Sequence, residues 1–534
     1  MKWSTPRRTV AARTTLLTGL AVASLALAGC AGGGGTATAG GAAAGNADVL
    51  NVQFNGPPIT GLDPAKSGGG GSLIYNTPAY DSLIFRQPDG TLVPGLATEW
   101  GFTNDALTKF ELTIRDGVKF SDGTELTAEG VAEWLAYFKD AKATQSSMLA
   151  AMTKAEAVND TTVRITLDSP NPDLPVILSQ QYAAGLVAAP AGMDKPGSLD
   201  AATIGTGPYQ LDPAATVTGD HYTYVPNPNY WNPNGIVYQK VVVTVVSDPN
   251  TVVSALSSGQ LDFALGKPET AEAAAKAGAE VLAAPGRVVG LYLLDREGTM
   301  VPELGSEKVR QAINYAIDRA GITTALYGDE YADPTSQMGL PLQTGFNEAL
   351  DGYYGYDIDK AKALLAEAGY ANGFTFEVTC SKNLNTCPVA QAIASSVADA
   401  GITIKINEES EISSFNQKFA AGEVPAVIFQ SSGPAYNSAR GLTQRDVLAN
   451  PFGTVDEEID AQYKVVQTTT DEEQGKAYSE LVELLAEKAW FAPVVRPYSV
   501  QYVKGVDNVT MEPEFPGYYS LIDPTGKFTW KPAS

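Results

Sequence analysis

Between Phe374 and Phe429 the chain alternates short apolar runs with helical spacing, and nothing else in its 534 residues constrains the fold as tightly. Phe374–Thr379, Ile402–Ile406 and Val424–Phe429 read as strands, and the stretches between them as helices, the first opened by Pro388. Strands joined through helices run parallel, because only a long crossover returns the chain to the same end of the sheet, and such crossovers are right-handed. Ligands of open parallel sheets sit beyond the carboxyl ends of the strands. The segment after Phe429, from Gln430 to Arg440, reads as a loop at one such end.

The flanking helices carry their own stop and start signals. Ser306 caps a helix with Val309, Ala312, Ile313, Ala316 and Ile317 on one face and Gly321 as its stop. Asp357 caps another, with Ala361, Leu364, Leu365 and Ala368 inward and Gly369 at its end. Thr470 and Glu473 form a capping box for a last long helix bearing Tyr478, Leu481, Val482 and Leu485. In the first half, Val49–Phe54, Phe110–Ile114 and Thr161–Leu167 read as strands, as does Val241–Val246, which is apolar enough to be buried on both faces. Thr127 caps a helix whose Val131, Trp134, Leu135 and Phe138 recur at helical spacing. Such a length exceeds one core and implies two or three lobes.

The N-terminus addresses the chain outward. Lys2, Arg7, Arg8 and Arg13 precede an apolar run from Leu16 to Ala28 that is shorter than the about 20 residues of a bilayer span. Leu27-Ala28-Gly29-Cys30 resembles the lipobox of bacterial lipoproteins, which implies a signal peptide over 1–29, diacylation of Cys30 and a Gly/Ala-rich tether over 30–47. Two acyl chains anchor stably where one does not. An ordinary signal with an incidental cysteine is the alternative, and Arg7-Arg8 leaves Sec and twin-arginine export both open. The net charge of −24 repels nucleic acid, so no nucleic-acid partner is expected. Cys380 and Cys387 read as a disulfide in an oxidising compartment, worth about 2–3 kcal/mol for so small a loop. The other reading, half of a metal site, lacks ligands, since His221 is the one histidine. Neither metal nor cofactor is expected, and His221 reads as a surface residue.

Four segments in fixed order resemble one family, the family 5 solute-binding proteins of peptide and nickel-type ABC importers. They are Val93–Trp100 leading into Arg115–Gly123; Gly205-Thr206-Gly207-Pro208-Tyr209 followed by Pro226–Trp231; Val309–Arg319; and Asp359–Tyr370. Most of these residues read as scaffold: Trp100, Trp134 and Trp231 as core, Arg310 and Asp318-Arg319 as helix-surface ion pairs. The resemblance implies an α/β, two-lobed periplasmic-binding-protein-like fold (type II, cluster C). Lobe I has its base in 48–92, 200–290 and 495–534 and an extra subdomain at 93–199, and lobe II spans 291–494. The chain crosses between lobes near Leu291–Asp295 and Phe491–Pro497. The implied function is to capture an oligomeric solute between the lobes, as a monomer lipid-anchored on the extracytoplasmic face of the cell membrane, and to deliver it to an ABC permease.

The resemblance places the ligand between Asn55 and the Gly68–Tyr75 loop on one side and the segment after Phe429 on the other. Ligand-binding residues are expected at Asn55, Tyr75, Tyr292, Gln430, Ser431, Ser432, Tyr436 and Asn437. Peptide-binding relatives carry an aspartate and an aromatic residue there; Gln430-Ser431-Ser432-Gly433-Pro434 has neither. A buried ammonium would lack its carboxylate, which favours a polar neutral ligand, unless Asp295 takes over that role. The rival class is a secreted hydrolase. G-x-S-x-G, H-E-x-x-H and P-loop motifs are absent, Gly526-Lys527 being followed by Phe528, while paired-carboxylate chemistry stays open among 60 acidic residues. A chemoreceptor-type sensor would use the same lobes.

Overall fold

The computed structural model describes residues 48–534, apart from 59, 68–69, 196, 342, 446, 512–520 and the side chains of 70–72. The signal peptide, Cys30 and the tether lie outside the described residues. The central alternation folds as its spacing predicts. Phe374–Ser381, Cys387–Val397, Ile402–Glu409, Ile412–Ala420 and Ala426–Ser431 follow as strand, helix, strand, helix, strand. The first strand lies in the middle, parallel to both others. Cys380 and Cys387 are bonded to each other at the first turn between strand and helix. Asp357 Oδ1 accepts the Lys360 N–H at 2.8 Å, and Gly369, at φ +90°, closes the helix that Asp357 opens.

Several local expectations are corrected. Gly321 stops nothing: the helix after Ser306 ends at Tyr315, and Gly321 lies in the first turn of the next, Arg319–Tyr327. Its N–H donates to Asp318 Oδ1, and a Cβ there would come within 2.3 Å of the same carboxylate. Arg310 and Arg319 are not surface ion-pair residues. Both are buried and satisfy main-chain carbonyls, Arg310 those of Leu304 and Lys488, Arg319 those of Asn314, Thr335 and Pro493. A guanidinium with five fixed donors suits that task where an ammonium does not. Thr470 stands at the cap of Asp471–Glu487, but its side chain makes no capping bond. Strand Lys240–Val245 buries Val241 and Val243 and leaves alternate residues more open, so only one of its faces is fully covered. The segment after Phe429 is not a loop throughout: the strand continues to Ser431, and Ala435–Thr443 is a helix.

Among the described residues one sheet of 12 strands runs through the molecule. Its spine is Phe491–Val503, 13 residues long. The first part of this strand pairs antiparallel with Val288–Leu293; the last part pairs with Phe263–Gly266 and Glu280–Pro285. On one side follow Ala426–Ser431, Phe374–Ser381 and Ile402–Glu409, on the other Val49–Phe54, Lys240–Val245, His221–Pro226 and Tyr209–Leu211. A separate antiparallel sheet of Ala97–Phe102, Lys109–Ile114, Thr162–Leu167 and Met152–Ala157 carries the helix Ala128–Asp140. Thr127 caps that helix through the Gly130 N–H. Trp134 is fully buried beneath it, with Nε1 donating to the Ala184 carbonyl, while Trp100 and Trp231 are half-buried. Buried apolar side chains cluster separately on the two sides of the spine: one large cluster between Leu50 and Phe263, joined by Val503, and two between Val288 and Val495. Among the described residues no helix is long and apolar enough to cross a membrane.

Candidate functional site

Where the spine and Val288–Leu293 cross, a cleft of about 870 Å³ opens beyond the carboxyl end of Ala426–Ser431. The register explains its position. Val288 pairs with Ser431 and Tyr292 with Val427, so the strand end rises beside the crossing, turns at Gly433 (φ +131°) and enters the helix Ala435–Thr443. The floor is aromatic: Tyr292 packs edge-on to Phe429 at 5.7 Å and to Phe491 at 4.9 Å. Ser147, Met148 and Tyr182 line the facing wall, far away in sequence from the strand end. Polar side chains above an apolar floor, between two walls, form the usual setting of a small-molecule site.

Of the eight residues expected from sequence, Tyr292, Gln430, Ser431, Ser432 and Asn437 line this cleft, and Asn55, Tyr75 and Tyr436 do not. Asn55 is exposed after Val49–Phe54, its Oδ1 accepting from Gln53 Nε2. Tyr75 is fully buried, donates its hydroxyl to the Gly56 carbonyl at 2.8 Å and packs against Phe54 and Tyr222. Tyr436 stacks on Tyr463 beneath its helix, centroids 6.0 Å apart. Asp295 offers a ligand nothing: it is fully buried, and its carboxylate accepts the N–H groups of Thr299, Met300 and Val301, each at 2.7 Å. His221 is bound to Asp220 and the Ala215 carbonyl and is not among the residues lining the cleft.

Sequence reasoning missed Asp173. It lies in a Pro-rich stretch with no recognisable signal, yet it bridges the two walls. Asp173 Oδ2 accepts both the N–H and Nδ2 of Asn437 at 2.9 Å, and Oδ1 accepts from Gln474 Nε2 at 3.3 Å. The carboxylate thus caps the helix Ala435–Thr443 from the opposite wall, where the helix dipole favours an anion. Burial nevertheless pushes its pKa up to about 6, against the pull of those hydrogen bonds. Behind this clasp a second crevice of about 910 Å³, lined by Trp100, Asp173 and Gln474 among others, separates the same two parts of the chain.

A two-walled cleft at a double strand crossing, closed by a clasp, suits capture of a solute better than turnover of one. Residues 91–446 match the model of the bacterial extracellular solute-binding proteins, family 5 Middle. The chain belongs to that family. It is 30% identical over 358 residues to the glutathione-binding protein GsiB of Escherichia coli (strain K12), covering 66% of this chain and 68% of that one. It is 29% identical over 398 residues to Heme-binding protein A of Haemophilus influenzae, covering 66% and 69%. The structure of HbpA2 from Haemophilus parasuis superposes with a TM-score of 0.77 over 89% of this chain and 99% of that one, at 23% identity. The fold is accordingly that of the two-lobed α/β periplasmic binding proteins. Family 5 proteins bind small solutes or oligopeptides outside the cytoplasmic membrane and deliver them to an ABC permease; these relatives are binding proteins and not enzymes.

Proposed function

We propose that this chain captures a polar small-molecule or oligopeptide-like solute in the cleft at the strand crossing, closes its lobes on it and passes it unaltered to an ABC permease. The single observation that carries this reading is the cleft's composition: Gln430, Ser431 and Ser432 on one wall face Ser147 and Tyr182 on the other. A ligand drives closure only by touching both walls, and this site offers groups on both. The lobes of the proposal are 48–92, 200–290 and 495–534 with 93–199 inserted, against 291–494. Support for that division comes from the separate apolar clusters on the two sides of the spine. The protein works as a monomer, tethered through a diacylated Cys30. Thermal-shift measurement of the purified protein with candidate solutes tests the reading: stoichiometric stabilisation without product is expected, and turnover of a solute would refute it. Ser432→Trp should abolish the stabilisation while leaving the ligand-free melting temperature unchanged.

A further inference from the structure

The charge inside the cleft is opposite to that of the chain around it. The protein carries −24 overall, yet the charged side chains lining the cleft are Arg287 and Arg440, and no aspartate or glutamate belongs to its described wall. Arg440 already has an interaction partner, so the weight falls on Arg287. Arg287 occupies the two-residue link between Glu280–Pro285 and Val288–Leu293, at the crossing itself. The preceding Gly286 donates its N–H to the Pro497 carbonyl at 3.1 Å, which ties the link to the spine. Among the described residues no carboxylate pairs with Arg287. Arg287 is itself exposed on the cleft wall that it shares with Ser431 and Ser499. In so acidic a chain, an arginine left without a carboxylate on a cleft wall suits an anion. A guanidinium fork binds carboxylate or phosphate oxygens in pairs, whereas an ammonium here would meet like charge with nothing to offset it.

We propose that the solute is an anion whose carboxylate or phosphate group is held by Arg287. This replaces the neutral ligand that the side chains after Phe429 suggest when taken alone, and it rests on the cleft being the binding site. The test is a thermal-shift and calorimetric screen of the purified protein with matched probes: acetylated tripeptides ending in a free carboxylate, the same tripeptides amidated, amidated tripeptides with a free amine, glycerol phosphate, and glycerol. Binding is expected from a carboxylate or a phosphate probe, and the two arms tell which oxyanion is preferred. Arg287→Gln should weaken that binding at least tenfold and remove its salt dependence, Arg287→Lys should fall between, and neither should alter ligand-free melting. Stabilisation by neutral or amine probes alone, no anionic binder, or an affinity unchanged in Arg287→Gln would overturn the assignment. Neutral binding that Ser432→Trp abolishes would leave the receptor reading standing; no stabilisation by any probe would remove both.

Discussion

Asp173 is a clasp whose strength should change with pH in a direction opposite to that of an ordinary salt bridge. With the walls apart its carboxyl is solvated and titrates near the usual 3.8; with the walls together burial pushes it up to about 6. The clasped form therefore binds the proton more tightly. Its advantage is fully present below about pH 4 and is lost as the pH rises through 6. Two pKa units correspond to about 3 kcal/mol, or on the order of a hundredfold in the ratio of closed to open protein. Above pH 6 the ionised carboxylate still accepts from Asn437 and Gln474, each charge-assisted bond worth about 1.5–3 kcal/mol, but the burial cost offsets much of that. Asp173→Asn keeps the shape and discards the titration. Small-angle scattering of ligand-free protein between pH 4 and 7 should show compaction as the pH falls, and the Asp173→Asn protein should show none of that trend. Asp105, Asp471 and Arg86 line the same crevice, so the difference between wild type and variant is the quantity to read. Equal pH trends in the two proteins, or opening of the wild type on acidification, would refute the reasoning.

Other perturbations act on the frame. Arg319→Ala strands the buried carbonyls of Asn314, Thr335 and Pro493 and should destabilise by at least about 3 kcal/mol in urea unfolding, with Arg319→Lys recovering under half of the loss. Gly290→Ala would set a Cβ 2.6 Å from Pro493 Cα, at the register shift where the two crossing strands meet, and should lower stability by about 1–3 kcal/mol, read as a reduced urea midpoint at constant m. Cys30→Ala should release the protein from the membrane fraction into the medium or periplasm without changing solute affinity, as fractionation and calorimetry would show.

Local chemistry was legible wherever one residue decides one turn. Asp357 and Gly369 mark their helix, Thr127 caps its own, and the spacing of apolar residues from Phe374 to Phe429 dictates a parallel unit, because these rules act within a few residues of chain. The same periodicity put Gln430, Ser431 and Ser432 at a strand end, and the cleft is there. Sequence could not tell that Arg310 and Arg319 would be buried, since a guanidinium satisfied by carbonyls and one bathed in water look alike until the partners from Leu304 to Pro493 are folded around it. Nor could it tell that Tyr75, Tyr436 and Tyr292 are all buried and that, of the three, Tyr292 alone lies under the cleft. Asp173 meets Asn437 across 264 positions, and the role proposed for Arg287 draws on the lack of carboxylates among the described residues lining the cleft. Charge complementarity and contact between walls depend on distances in space, and those the tertiary structure alone sets.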